Sequence, residues 1–389
     1  MLSYIHKVYM VYFYLILKGM GLIRSFNIAL MPGDGIGPEV TAPSFDIVRQ
    51  VAESCGVVLN AIPLEAGAAL YARTGDAFPE EIFWEAARAD AIYLCAMGDP
   101  SIRYPDGTEI GPQHDLRKRL KLYAGIRPCI AMEGIPLPLR DPRAKSIDFV
   151  IVRESIEGIF AFPRKSERDS DEVAYNTIMV TREISEKLFH YSFSLARRRR
   201  DEQGSAGRVT CVDKANVLSS LFFFRQIFLE ISREYPDIAS DCAYVDATAM
   251  NYIKRPWDFD VCVTENQFGD ILSDLAAALM GGVGMAPSAE IGDHNAVFQP
   301  THGSAPHYAG KRVANPTGMI LSGGMMLDYL GRKFSCPEAL QASSAIVAAV
   351  KAAYASGKLL PHELKGDSGL DDILREIWLA LERSGNNHP

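Results

Sequence analysis

Three observations predict an α/β fold of two lobes around a largely parallel sheet. At 389 residues the chain exceeds the usual size of a single domain. From residue 25 onward, short apolar runs of β type alternate with helical patterns. In the middle of the chain charged residues follow directly on the apolar runs, as they do where a ligand binds beyond the carboxyl ends of parallel strands.

Taken in order, the chain begins with "HKVYMVYFYLILKGMGLIR", whose apolar stretch is too short to span a bilayer and carries no small-residue cleavage site. We expect residues 1–24 to be a leader outside the fold, with translation starting at Met20. The run "FNIAL" leads into "MPGDGIGPEV" (31–40), a tight glycine loop before a helix. It fails as a GxGxxG, the fingerprint of a Rossmann fold, and alone it is weak evidence of a ligand. A helix from near Thr181 ends in Arg197 to Arg200, where cations suit the C-terminal dipole. Four apolar runs then share one feature: "DFVIV" is followed by Arg153 and Glu154, "VTCV" by Asp213, Lys214 and Asn216, "CAYV" by Asp246, and "FDVCV" by Thr264, Glu265 and Asn266. These strand ends are expected to converge. The next segment, "TENQFGDILSDLAAALM", opens a helix with Asp270 and Asp274 in its first turn and the one following. Two carboxylates one turn apart share a face and repel, which points to a cation between them. The loops at 280–293 and 302–318 are long and punctuated by Gly and Pro, the kind that wrap cofactors. The tail "SGNNHP" is expected to fray.

Composition narrows the function. A chain with 48% hydrophobic and 23% charged residues is globular, and a net charge of −8 argues against nucleic acid as the main partner. The seven cysteines form no CxxC pair, and Cys95, Cys211, Cys242 and Cys262 lie in apolar runs, as reduced core residues of a cytoplasmic protein do. No membrane partner is expected.

Asp246, Asp270 and Asp274 offer three hard oxygen ligands with no Cys or His beside them, which suits Mg²⁺ or Mn²⁺. The plainer reading is that they cap helices and pair with surface lysines. Arg117, Arg127 and Arg153 offer bidentate grips for carboxylates, although each alone reads as a surface ion pair. Together with Lys214 they suggest a small, multiply acidic substrate whose hydroxyl and carboxylate chelate the cation.

The segments "GDGIGPEV", "DLRKRLKLYAGIRP", "VRESIEG", "VDKANVL", "YVDATAMNYI", "TENQFGDILSDLAAAL", "HGSAPHYAGK" and "ANPTGMIL" resemble, in order and spacing, the metal-dependent β-decarboxylating dehydrogenases acting on isopropylmalate, isocitrate, homoisocitrate and tartrate. The resemblance covers roughly residues 26–385. It implies an isopropylmalate dehydrogenase-like two-domain fold, not a Rossmann fold: residues 25–122 with 281–389 as a large cofactor-binding domain, and 123–280 as a smaller one carrying the dimer interface and metal ligands. It implies Arg117, Arg127 and Arg153 as carboxylate clamps, Lys214 with Asp246 as catalytic residues, and Asp246, Asp270 and Asp274 as metal ligands. For NAD or NADP it implies Ile36, Asn216, His302, Gly303, Ser304, Ala305, His307, Tyr308 and Asn315. It also implies a homodimer or larger homo-oligomer in which Lys214 and Asp246 enter the partner's site. The chemistry would be hydride transfer from C2 followed by loss of the C3 carboxylate.

Three positions depart from that pattern. Phe160 stands where the family has a tyrosine that protonates carbon. His307 replaces an aspartate that grips the adenine ribose, which leans the cofactor toward NADP, with Tyr308, Lys311 and Arg312 as further attraction. Gln113 and His114 replace leucines that face the isopropyl group. The expected substrate is therefore a polycarboxylate malate with a polar substituent. The alternatives are a catalytically weak regulatory or binding subunit and a 3-isopropylmalate dehydrogenase.

Overall fold

The structure is a computed structural model that describes residues 24–162, 167–168 and 172–385. The expected leader lies outside these residues except for Arg24, which opens the first strand, and Met20 lies outside them too. Of the tail, Ser384 and Gly385 still close the last helix, Leu370–Gly385.

Ten strands form one sheet: β1 (Arg24–Met31), β2 (Val57–Pro63), β3 (Ala91–Leu94), β4 (Ala124–Ile130), β5 (Asp148–Glu154), β8 (Arg208–Asp213), β9 (Ala239–Tyr244), β10 (Val261–Thr264), β11 (Pro287–Ile291) and β12 (Ala296–Pro300). A separate antiparallel pair, β6 (Glu167–Arg168) and β7 (Ala174–Tyr175), lies apart from it. The spatial order is β2-β1-β3-β12-β11-β4-β5-β10-β8-β9. Pairing is parallel on either side of the centre, while β11 runs against both β12 and β4, and β4 against β5. Strands such as β3 and β10 are buried along their whole length, as parallel strands covered by helices on both faces must be, and their sequences are correspondingly apolar throughout.

The parallel run β5-β10-β8-β9 places its four carboxyl ends along one edge. Arg153, Lys214, Glu265 and Asp246 therefore emerge side by side, as their positions after apolar runs suggested.

Two helix readings change. The helix from Thr181 exists, Arg182–Gln203 with Thr181 as its cap, but its basic end does more than meet a dipole. Arg197 and Arg200 pair with Asp237, while Arg199 is buried and holds Asp260 at 2.7 Å and Asp148 at 2.9 Å. In the helix Asn266–Leu279 the cap is Glu265, whose carboxylate accepts from Gln267 N at 3.1 Å and Phe268 N at 2.8 Å. Asp270 thus lies beyond the first turn and is not needed for capping.

The glycine loop after β1 is fixed by Asp34. Its buried carboxylate accepts from the amides of Ala68, Ala69 and Gly98 at 2.7–2.9 Å. Ile36 N donates to Ser304 O at 2.8 Å, and Gly35, at φ +58°, lies so close that a Cβ there would meet Ser304 O at 2.0 Å. The Asp34 carboxylate thus ties this loop to residues 68, 69 and 98, and the Ile36–Ser304 bond ties it to the loop after β12. Asp34→Ala should lower stability by about 2 to 4 kcal/mol, because three amides lose a charged acceptor; urea denaturation at pH 7 measures it.

Candidate functional site

Across the sheet, Arg153 on β5 is the register partner of Gly125 on β4, and Gly125 is the partner of Glu290 on β11. Paired residues share a face, and Arg127, two along from Gly125, shares it as well. A side chain at Gly125 would meet Ser155 Oγ at 2.5 Å and Glu290 Oε2 at 2.9 Å. The missing side chain leaves room for a charged row. Glu290 is fully buried, contacts Arg127 and accepts from Arg117 at 3.0 Å. Burial alone would raise its carboxyl, but Arg117, Arg127 and Arg153 outweigh that and hold it at about 2. The expected three arginines therefore do come together, and the residue that gathers them is one that sequence reading passed over. Their charge exceeds that of Glu290, and Arg117 Nε is buried with no partner.

Arg153 is held from the other side. Its Nε and Nη2 donate to Asn266 Oδ1 at 2.9 and 2.8 Å, and it contacts Asp270. Asn266 is fixed in turn by donating to Glu157 O at 2.9 Å. Asp274 lies one turn beyond Asp270, and burial, then the charge of Asp270, raises its carboxyl above the ordinary range. Asp270 and Asp274 offer an all-oxygen donor pair that fits a hard divalent cation.

Asp246 does not join them. Among the described residues no three His, Cys, Asp or Glu side chains gather as a metal cage. In the sheet β9, which leads to Asp246, lies two strands beyond β10, about 10 Å away. Asp246 instead accepts from Lys214 Nζ at 2.8 Å, at the exposed end of β8 and β9.

Gln113 and His114 lie in the first turn of the helix Pro112–Arg119, which also carries Arg117. Gln113 Oε1 is buried and has no partner. Taken over the whole residue His114 is exposed, but its imidazole is pushed down from the ordinary value by crowding from neighbouring protein, then by the charges of Arg117 and Arg153. Phe160, partly exposed, lies with its ring 5.9 Å from the Arg153 guanidinium carbon, and Lys118 ties that segment down by donating to Ala161 O at 3.0 Å.

The cofactor-type residues fall into three groups. Ile36 meets Ser304 as described, and beside them His302 Nε2 and Thr301 Oγ1 are buried without partners. These orphaned atoms, with Gly303 and Ala305 in the same loop, fit a polar ligand. His307 and Tyr308 are exposed, with their rings tilted by 49° at 4.1 Å between centroids and Lys311 Nζ 5.7 Å from the Tyr308 ring. Arg312 is not available to a ligand there, because it is paired with Asp371. Asn315 is engaged with Glu363 at 2.8 Å and with Thr317 N at 3.0 Å. Asn216 is exposed in the turn after β8.

The α/β scaffold thus brings converging arginines and, on the helix after β10, a carboxylate pair to one place, the chemistry that suits a small acid. Comparison with known proteins makes this specific: residues 27–372 match the isocitrate/isopropylmalate dehydrogenase family. The 3-isopropylmalate/3-methylmalate dehydrogenase of Methanocaldococcus jannaschii is 40% identical over 353 residues, covering 90% of this chain and 97% of that protein. The 3-isopropylmalate dehydrogenase of Moorella thermoacetica is 39% identical over 363 residues, covering 90% and 98%. The crystal structure of isocitrate dehydrogenase from Methylococcus capsulatus superimposes with a TM-score of 0.79 at 35% identity, covering 92% of this chain and 99% of that one. The chain belongs to the isocitrate/isopropylmalate dehydrogenase family. It is a nicotinamide-dependent, decarboxylating hydroxy-acid dehydrogenase.

Glu290 gives the site a pH signature. Its folded carboxyl is held at about 2 against an ordinary 4.5, so its contribution is complete above about pH 5 and is lost as pH falls toward 2. Glu290→Gln should cost about 3 to 5 kcal/mol at pH 7, since it leaves buried guanidiniums unpaired. The gap from the unaltered protein should narrow, by about 3 kcal/mol in all, as pH falls through that window; urea midpoints at pH 7, 5 and 3 follow the trend.

Proposed function

We propose that the chain oxidises and decarboxylates a 3-substituted malate, using NAD or NADP and Mg²⁺ or Mn²⁺, in a homodimer or larger homo-oligomer. The observation that carries this is the row of Arg117, Arg127 and Arg153 around one buried carboxylate, which leaves positive charge and an unfilled Arg117 donor for the carboxylates of malate.

When bound, the cofactor accepts hydride and the cation stabilises negative charge on the substrate oxygen. The chain's own residues do the rest. The arginines hold the carboxylates and set the face presented at C2. Lys214, with Asp246 against it, takes the hydroxyl proton. Asp270 and Asp274 hold the cation, with Asp246 as the third ligand supplied across the oligomer. The exposed apolar side chains Phe222, Leu229, Met250, Ile253 and Ile271, on three helices of the same half of the chain, support association of two copies. The order of the strands supports a division in which residues 123–280 form one lobe and 25–122 with 281–389 the other. The seven free cysteines support a reducing, cytoplasmic setting. Among the described residues no helix is long and apolar enough to cross a membrane.

The substituent has two readings. Relatives that act on 3-isopropylmalate and 3-methylmalate favour an alkyl group, and this displaces the polar substituent as the first choice. The polar reading keeps one observation: Gln113 Oε1 is buried and unpartnered, which an alkyl group would leave unsatisfied at about 1 to 3 kcal/mol. For the cofactor, Arg312 is taken by Asp371, so the lean to NADP rests on His307 and Lys311 alone.

On the alkyl reading kcat/KM is highest for 3-isopropylmalate or 3-methylmalate. Higher values for isocitrate, homoisocitrate or tartrate would establish the polar one. Measured with either substrate, NADP⁺ should exceed NAD⁺ in kcat/KM if His307 and Lys311 meet a 2′-phosphate.

For the cation, Asp270→Asn should leave a folded protein with activity reduced about 100-fold or more. The rise in Tm that Mn²⁺ gives the unaltered protein should vanish with it. A full Mn²⁺ shift in the variant would remove Asp270 from the ligand set.

Phe160 has no proton to give, so carbon protonation should be slow and not stereospecific. Reaction in D₂O should scatter deuterium between both C3 positions, and Phe160→Tyr should restore one stereoisomer with a gain in that step of up to about 10² to 10⁴. A single stereoisomer from the unaltered enzyme would show another acid in place.

A further inference from the structure

Cys211 and Cys242 are direct register partners in the neighbouring parallel strands β8 and β9. In-register residues of adjacent strands have Cα atoms about 4.8 Å apart and side chains on one face, within the span a disulfide bridges. Their surroundings differ. Cys211 is fully buried and its proton is shared toward Asp213 Oδ2 at 3.7 Å, whereas Cys242 is partly exposed on the edge strand β9. Arg225, whose guanidinium donates to both oxygens of Asp213 at 2.7 Å, lies near both sulfurs. Neither thiol belongs to the machinery described above.

We propose that Cys242 and Cys211 form a peroxide-sensitive pair that closes reversibly into a disulfide between β8 and β9. The Cys242 thiolate attacks hydrogen peroxide. Its sulfur gains one oxygen as a sulfenic acid, the O–O bond breaks, and hydroxide leaves, taking up the proton that the Cys242 thiol had released to become the first water. Cys211 sulfur then attacks the sulfenic sulfur; the S–S bond forms, the S–O bond breaks, and hydroxide departs with the Cys211 proton as a second water. Two thiols are oxidised and one peroxide is reduced to two waters. The arrangement of one accessible thiol over a buried resolving thiol is the one this sequence of steps requires. Contact with Cys211, and the nearby Arg225 charge, hold the Cys242 thiol below its ordinary value, while burial raises that of the partly exposed Cys55. Strands β8 and β9 lead within a few residues to Lys214 and Asp246, which meet at 2.8 Å. A disulfide between the strands would therefore form a few residues from that pair.

The test treats the reduced full-length protein with hydrogen peroxide, blocks remaining thiols with N-ethylmaleimide, digests it and reads the linked peptides by mass spectrometry. A Cys211–Cys242 link that dithiothreitol reverses is expected, with Cys242 oxidised about tenfold or more faster than Cys55. In Cys211→Ser, Cys242 should accumulate as a sulfenic acid trapped by dimedone, and Cys242→Ser should abolish the link. Oxidation of Cys242 no faster than Cys55, or a link to any other cysteine, would overturn the proposal.

Discussion

A single buried carboxylate beneath three guanidiniums is the constraint on which this site depends. Without Glu290, Arg117 and Arg127 would place like charges in a space that water does not reach, and Arg153, already pushed down to about 10 by burial and by Arg117, would be less easily kept charged. With it, a helix and two strands that approach from different parts of the chain are drawn to one point. The same contact leaves the arginines short of full neutralisation, which is the condition for gripping an anion. Gly125, Asn266 and Glu157 serve this arrangement by leaving room or by fixing a donor.

The sequence made the strand-end charges legible because a parallel strand buried on both faces is apolar throughout, so the first charged residue after it marks the carboxyl end. Lys214, Arg153 and Glu265 were visible this way, and Asp246 through the short apolar run that ends the exposed edge strand β9. Glu290 was not, because it sits in the middle of a buried strand, inside a stretch read as a glycine loop. Its partner Arg127 lies 163 positions away. Arg199 was hidden for the opposite reason: among four arginines its neighbours look like a solvated helix end, and only the packing of the helix on Asp148 and Asp260 distinguishes it. Glu265 was seen as a strand-end charge but its capping was not, which gave Asp270 a role in the first turn that it does not have.

Within one chain the charged groups at the strand ends already have partners. Lys214 and Asp246 satisfy one another at an exposed strand end, while Asp270 leans on Arg153. Each of these pairings gives the side chain a resting partner in the absence of ligand. The exposed Lys214–Asp246 pair orders its groups at modest cost, since such pairs contribute only about 0 to 1 kcal/mol, whereas Arg153 in the second pair is buried.

The two reversed strands also decide the order in which the molecule can be made. As the chain emerges during synthesis, β1, β2 and β3 can join among themselves, and β4, β5, β8, β9 and β10 can join as a second group. Each then has one edge, besides the outer ones at β2 and β9, that the finished sheet covers: β3 on the first and β4 on the second. Only when residues 287–300 appear does the β11–β12 hairpin bridge them, β12 against β3 and β11 against β4. Until that late segment leaves the ribosome, two apolar strand edges stand unpaired in one nascent chain. It is over this interval that the protein is most exposed to aggregation and most in need of a chaperone.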